Sequence, residues 1–214
     1  MDVHPPHGRI RTWRDFLLHL ATITIGLFIA LSLEGMVEWM HHRHLVHEAR
    51  ATIYKEMADN RKLLADDATN IREDEVRILS DIKKLTELRA GSKLEHTSLE
   101  YHVEWSSFAD SAWRTAEATG ALNYMDYETA QSLSEIYGQQ HIVSGRGLTI
   151  FDEQTRAIAP IFITGDPNLM SKDEIQLTLQ RSADLLLDLR ALGQLLVQFD
   201  GQLAAALHAE EKHR

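Results

Sequence analysis

Apolar residues are concentrated in one uninterrupted run near the N-terminus. The run from Phe16 to Leu33 holds no formal charge and one histidine. As a helix it covers about 27 Å, close to the ~30 Å thickness of a bilayer hydrocarbon core. Trp13 and Trp39 flank it about 39 Å apart, near the separation of the two interfaces that tryptophan prefers. The pattern predicts a transmembrane helix over residues 13–39, with Trp13 and Trp39 as interfacial anchors.

A cleaved signal peptide is the main alternative to this span. Arg9, Arg11 and Arg14 precede the run, and Ala30-Leu31-Ser32 has the form of a cleavage site. Signal peptides, however, carry an apolar segment of only about 7 to 15 residues. A buried helix of a soluble protein is the third option, but a chain with 25% charged residues rarely buries a helix on every side. An uncleaved transmembrane helix is therefore favoured over both alternatives.

Small and polar residues of the span share one stripe. Thr22, Gly26, Ala30 and Glu34 recur at every fourth position, and His19 lies about one turn earlier. Such a stripe lets two helix backbones approach closely and keeps polar groups away from lipid. It predicts helix packing within the membrane, in a homo-oligomer or against another membrane protein. Chance spacing of residues common in spanning helices is the alternative.

The helix is predicted to continue beyond the span to about residue 90. No proline occurs between Pro6 and Pro160, and no glycine between Gly35 and Gly91. Mostly apolar positions recur with a mean step of about 3.6 residues, the period of a nearly straight amphipathic helix. They are Leu45, Ala49, Ile53, Met57, Asn60, Leu64, Ala68, Ile71, Glu75, Ile78, Ile82, Leu85 and Leu88.

Three further helices are predicted, at about 98–119, 126–163 and 171–210. The first and third open on possible capping boxes, Thr97-Ser98-Leu99-Glu100 and Ser171-Lys172-Asp173-Glu174. The second has a possible interruption at 144–147, and Pro160, Gly165 and Pro167 are expected to end it. No stretch alternates with period two, so the chain is all-α. We expect residues 40–214 to form an extramembrane domain, an elongated antiparallel bundle in which the first long helix packs with two or three others.

Several of these features resemble a family of uncharacterised bacterial single-pass membrane proteins. The resemblance rests on ITIGLFIAL at residues 23–31, on the long charged helix after it, and on Trp113, Thr119-Gly120-Ala121-Leu122, Leu133 and Tyr137. It implies an N-terminal span and a helical external domain. It implies no activity, because the family has none assigned.

Charge adds an orientation and excludes one class of partner. Beyond residue 33 the chain carries a net charge of −11, which should repel nucleic acid. Arg9, Arg11 and Arg14 precede the span, whereas only Arg43 and Arg50 closely follow it. The positive-inside rule therefore places the N-terminus in the cytoplasm and the acidic domain outside it, in the periplasm if this is a bacterial inner membrane. The tail, residues 1–12, is expected to be disordered.

A histidine cluster follows the span and suggests metal chemistry. His41, His44 and His47 are spaced by three, and His44 and Glu48 by four, so either set could offer ligands to Zn²⁺ or Cu²⁺. One helix usually presents only two such ligands well, and a polar collar at the membrane surface is the favoured interpretation. These residues and His42 also titrate in the range of a pH sensor.

The external domain has one aromatic-rich region and no recognisable catalytic spacing. Its aromatic residues are a candidate ligand pocket, although a core role is more common: Trp105, Trp113, Tyr124, Tyr127 and Tyr137. Gly145-Arg146-Gly147 is interpreted as a hinge rather than an anion-binding turn. There is no cysteine and no nucleophile elbow, so neither an enzyme nor a cofactor is predicted.

Three functions follow from these observations. The favoured one is a membrane-anchored helical scaffold or interaction module, oligomeric and non-enzymatic. The second is a ligand- or pH-sensing domain that acts through a partner protein. The third is a metal-binding protein that uses the histidine cluster.

Overall fold

A computed structural model describes residues 12–95, 99–101 and 104–213. Its helices are α1 (Trp13–Arg89), α2 (Ser111–Ala118), α3 (Tyr127–Thr164) and α4 (Lys172–His213), with short 3₁₀ turns at Ala121–Tyr124 and Pro167–Leu169. The described residues contain no strand, so the all-α prediction is confirmed. The chain divides into two units, Met1–Glu48 and Ala49–Arg214, and α1 contributes to both. Most of the predicted tail lies outside the described residues.

Within the second unit, α1 and α4 run antiparallel. Arg50 Nη2 lies 2.5 Å from Glu210 Oε2, and Arg89 Nη1 donates to Gln176 Oε1 at 2.9 Å. The partner numbers on α4 therefore fall as those on α1 rise. Asp166 accepts a hydrogen bond from the main-chain N–H of Asn168, which helps to close the short turn before α4.

Helix α3 runs parallel to α1 and antiparallel to α4. Asn60 of α1 pairs with Gln140 of α3, and Glu56, one turn earlier, pairs with Tyr137. A segment of 37 residues between Arg89 and Tyr127 brings the chain back, so that α3 starts at the same end of the second unit as the later part of α1. The second unit is thus a helical bundle built from the later part of α1 together with α3 and α4.

Buried residues of α1 in this unit follow a heptad repeat. Their steps alternate between four and three residues, a mean of 3.5, whereas the sequence predicted about 3.6. The buried positions are Ile53, Met57, Asn60, Leu64, Asp67, Ile71, Asp74, Ile78, Asp81, Leu85 and Leu88. The predicted seam therefore departs from the buried series at Ala68 and Glu75, whereas Ile82 is partly buried and packs against the core. Asp67, Asp74 and Asp81, which the predicted seam left out, are buried.

The other two long helices bury residues at the same spacing. On α4 the series includes Leu185, Leu189, Leu192, Leu196, Phe199 and Leu203, all fully buried. On α3 it includes Leu133, Val143, Gly147, Ile150 and Ala157. Burying a leucine or phenylalanine side chain contributes about 1.5–3 kcal/mol, so these layers are the main apolar contribution to the stability of the unit.

Between α1 and α2 the chain forms an extended strap, defined as residues 99–101 and 104–110. The predicted helix over 98–119 is wrong there, because among the described residues of this range the α-helix is Ser111–Ala118. Residues Thr97 and Ser98 of its predicted capping box lie outside the described residues. The strap runs opposite to α1: Glu100 contacts Asp81, and Ala109 contacts Asn60.

Polar residues buried on α1 hold the main chain of this strap. Asn60 Nδ2 donates to Ala109 O at 2.7 Å, and Asn60 Oδ1 accepts from Ala109 N at 2.9 Å. The main-chain N–H of Ser106 donates to Asp67 at 3.2 Å, and that of Glu100 donates to Asp81 at 2.7 Å. An extended chain without a sheet needs such partners, because a buried N–H left unsatisfied costs about 1–3 kcal/mol.

Helix α3 continues through the predicted interruption and through Pro160. The interruption at 144–147 is wrong: Gly147 lies inside the helix, and the indole of Trp105 packs where its side chain would be. The helix also continues past Pro160 to Thr164. A proline leaves the carbonyl four residues earlier without its helical donor, and Arg181 Nη1 donates to that carbonyl, Arg156 O, at 2.6 Å.

Candidate functional site

The first unit presents an apolar helix that the protein itself does not cover. Of the helices in the described residues, α1 is the one long and apolar enough to cross a membrane, and its most apolar window is not buried. Trp13 is 72% and Trp39 58% exposed, and the large apolar residues between them are exposed as well. Soluble proteins rarely expose so large an apolar surface. The described residues therefore do not bury this helix.

The predicted stripe lies on this exposed part of α1. His19, Thr22, Gly26, Ala30 and Glu34 are all exposed. The hydroxyl of Thr22 donates to Leu18 O at 2.8 Å, so it needs no partner from outside the helix. A Cβ added to Gly26 would meet no atom within 4 Å, which leaves open space over the stripe for another helix.

The histidine cluster is only partly brought together. His44 Nε2 lies 3.2 Å from Glu48 Oε1, and the rings of His41 and His42 lie 6.1 Å apart. In the described part of the chain, no three His, Asp or Glu side chains are arranged to hold a metal ion. His47 therefore does not complete a three-ligand set with the pair.

A cation–π contact lies at the start of the cluster. The guanidinium of Arg43 lies over the ring of Trp39, 5.4 Å from its centroid. Such a cation–π contact contributes about 0.5–1 kcal/mol at an exposed site. It orients Trp39 at the predicted membrane boundary.

Two of the five candidate aromatics form a pair in the second unit. Trp113 stacks on Tyr137 with ring centroids 5.1 Å apart. The phenol of Tyr137 donates to Glu56 Oε1 at 2.8 Å, and Glu56 Oε2 accepts from Ala112 N in the first turn of α2 at 2.9 Å. Burial, with the neighbouring Glu56 carboxylate, raises the pKa of Tyr137. The pair borders an open groove of about 570 Å³ that Asp110 and His141 also line.

The other candidate aromatics lie elsewhere. Trp105 packs edge-on against Phe108 in the strap, with centroids 5.7 Å apart, and covers Gly147. Tyr124 and Tyr127 are 51% and 79% exposed. Trp105 is therefore a core residue, and the five residues do not form one pocket.

The sequence did not point to a second cluster of ionisable side chains, between α3 and α4. Arg146 pairs with Asp188, and Asp188 also neighbours Glu153. Burial, and then the neighbouring Asp188 carboxyl, raises the pKa of Glu153. Arg146 and Glu153 are seven residues apart, which places them on the same face of a continuous helix. The sequence could indicate this cluster only if α3 was known to be unbroken.

Comparison with protein-family models, with curated proteins and with solved structures gave no match.

Proposed function

We propose that this protein is a membrane-anchored helical scaffold, which uses α1 as a single transmembrane anchor and assembles through the stripe of residues 19–34. The observation that carries the proposal is the uncovered apolar surface of α1 around an open Gly26. A helix of this kind needs lipid or another helix as its environment. The second unit then presents its helical surfaces to other proteins.

The same proposal includes a location and an orientation. The arginines around the span favour a cytoplasmic N-terminus and a periplasmic second unit in a bacterial inner membrane. This arrangement agrees with the resemblance to single-pass proteins of unassigned activity. It is tested by adding a membrane-impermeant biotin reagent to intact spheroplasts, which should label lysines of the second unit. Labelling only after lysis would reverse the orientation.

The two alternative functions have less support. A sensor needs a ligand cavity, and only Trp113 and Tyr137 of the five aromatics come together, beside an open groove. A metal protein needs further ligands beside His44 and Glu48. Both functions would use residues outside the exposed apolar surface of α1. Neither function explains why that surface is exposed.

Assembly is tested by the mass of the full-length protein in mild detergent, measured by light scattering. We expect a defined oligomer that dissociates on combining Gly26→Leu with Ala30→Leu, because added side chains separate the backbones. The matched control combines Ala21→Leu with Gly35→Leu, which adds the same atoms on the opposite face of the helix. Equal masses for both double variants would contradict assembly through the stripe.

A further inference from the structure

Charged residues of α3 and α4 meet at the edge of the contact between these two helices. Arg146 of α3 donates to Asp188 of α4, and Asp188 also neighbours Glu153 of α3. Arg146 and Glu153 are seven residues apart, so they lie on one face of α3, and each directly precedes a buried residue of that helix. Asp188 likewise precedes the buried Leu189. We call Arg146, Glu153 and Asp188 the edge cluster.

One carboxyl oxygen of the edge cluster has no hydrogen-bond donor. Glu153 Oε2 is buried and has no partner among the described residues, while Arg146 gives its hydrogen bond to Asp188. Two neighbouring ionised carboxylates repel each other, and a buried oxygen without a donor loses the hydrogen bonds that water would supply. A single proton removes both costs, because a protonated carboxyl donates an O–H···O hydrogen bond to its neighbour. The arrangement is therefore that of two carboxyls sharing one proton.

The basic residue that corresponds to Glu153 on α4 is engaged elsewhere. In an antiparallel pair, counting seven residues forward on α3 and seven back on α4 from the ion pair of Arg146 makes Arg181 the counterpart of Glu153. Arg181 Nη1 instead donates to Arg156 O at 2.6 Å, the carbonyl that Pro160 leaves without a helical donor. The proline within α3 therefore withdraws a cation from Glu153.

Charges around Glu153 do not replace this proton. Those that act on it are the carboxyl of Asp188 from α4 and, from α3 itself, Arg146 and Arg156. Arg146 is hydrogen-bonded to Asp188, so its single positive charge is shared between two carboxyls. Burial, and then the neighbouring Asp188, raises the pKa of Glu153 in spite of both arginines. The protonated form of Glu153 therefore persists to a higher pH than that of an exposed glutamate.

We propose that the edge cluster is a pH-sensitive switch, in which a proton shared by Glu153 and Asp188 holds the C-terminal part of α3 on α4. Loss of that proton leaves two carboxylates and one guanidinium at the contact. Arg181 can then neutralise Glu153 only by leaving Arg156 O, so the contact loosens in either case. The stabilisation is complete below the unfolded-state pKa of Glu153 and is lost as the pH rises through the folded-state value. The switch does not depend on the proposed anchoring or assembly, because all of its residues lie in the second unit.

Hydrogen exchange of the full-length protein in mild detergent, followed by mass spectrometry, tests this switch. Parent and Glu153→Gln are compared at matched pH values between about 5 and 8, so that their intrinsic exchange rates are closely similar. The amide of the variant donates to Asp188 as a protonated carboxyl does, but it does not titrate. At pH 8 we expect exchange over residues 150–164 to be several-fold faster in the parent than in Glu153→Gln. This ratio should fall towards one as the pH is lowered through the pKa of Glu153.

Asp152→Asn is the matched control, because it removes the same charge from the exposed neighbouring position. Its exchange should equal that of the parent at every pH. Asp188→Asn should abolish the pH dependence as Glu153→Gln does, since it removes the other carboxyl and its amide donates to Glu153. A ratio of parent to Glu153→Gln that does not change with pH would overturn the proposal. Equal effects of Asp152→Asn and Glu153→Gln would overturn it as well.

Discussion

Asp67 remains in the core because it has a main-chain partner there. Its side chain is fully buried and accepts the N–H of Ser106. Burial raises the pKa of Asp67 above its ordinary value, since the charged form loses solvent. An aspartate whose pKa is higher in the folded than in the unfolded state stabilises the folded state, and this contribution reaches its full size below the unfolded-state pKa. This contribution is lost as the pH rises through the folded-state value.

We therefore expect Asp67→Asn to stabilise the protein at pH 8 by about 1 kcal/mol, because the amide oxygen still accepts from Ser106 while no buried charge remains. The gain should shrink as the pH falls through the raised pKa, because the aspartate of the parent then becomes protonated as well. Urea unfolding of the full-length protein in mild detergent at several pH values measures it. Asp66→Asn, at the exposed neighbouring position, removes the same charge and should show no such pH dependence.

Gly147 gives a second expectation for a single residue. A Cβ at this position would lie 2.0 Å from Cε2 of Trp105, so Gly147→Ala must displace the indole and should cost about 1–3 kcal/mol. Gly145→Ala is the control: it meets no atom within 4 Å in the same helix and should stabilise by about 0.5–1 kcal/mol. Thermal unfolding followed by circular dichroism compares them. Equal effects would mean that Trp105 does not pack on Gly147.

Sequence reasoning succeeded or failed at single residues for identifiable physical reasons. An apolar side chain at helical spacing is buried in nearly any bundle, so Ile53 and Leu64 were predicted correctly. Asp67 and Asp81 were not, because their partners are main-chain N–H groups of a segment that itself was assigned wrongly. Likewise, a glycine pair such as 145 and 147 indicates a hinge until the indole that needs the space is known.

At the scale of elements, the strap replaces a helix that the sequence favoured. Its spacing of Trp105, Phe108 and Ala112 suited a helical face. In the structure Trp105 covers Gly147, and Phe108 packs edge-on to Phe199 with centroids 6.2 Å apart. Tertiary contacts with α3 and α4 thus outweigh a local preference, which is worth only tenths of a kcal/mol per residue. Such contacts are not readable from local sequence.

We expect Asn60→Ala to loosen the strap, because Ala109 would lose hydrogen bonds to its N–H and C=O. A glutamate-specific protease should then cut faster at Glu100 and Glu104, which mass spectrometry of the fragments measures. Asp59→Ala alters the exposed neighbour and serves as the control. Unchanged cleavage in Asn60→Ala would show that the strap is held without this side chain.

On the scale of the whole molecule, the two units bury their apolar residues differently. The second has its own core, whereas the first exposes apolar residues. The all-α architecture followed from sequence because helical periodicity and capping are local. The boundary between the two units at Glu48 could not be predicted from the sequence, because α1 continues through it without a break. Function was the hardest property to predict from the sequence. The candidate sites at residues 41–48 and 105–137 were grouped because their residues are close in sequence, but these side chains only partly meet in space.

Because, among the described residues, only the second unit has a core, the two units should respond separately to mutation. Leu189→Ala, at a fully buried position of α4, should destabilise the second unit by about 2–5 kcal/mol. Its membrane retention after an alkaline carbonate wash should equal that of the parent, because the proposed anchor lies in the first unit. Conversely, Gly26→Leu combined with Ala30→Leu should leave the melting temperature unchanged under conditions where the protein is monomeric. Release of Leu189→Ala from membranes would contradict this division.

The strap also has a consequence for how the sequence can diverge. Asn60, Asp67 and Asp81 bind its main chain, which every residue type except proline supplies in full. Substitutions at Ser106 or Ala109 therefore leave these hydrogen bonds intact, whereas a change on α1 removes one. Relatives of this chain should keep polar residues at the three α1 positions and vary freely along much of the strap. The connection would then depend on conserved residues of α1, which hold the strap, and not on conserved side chains of the strap itself.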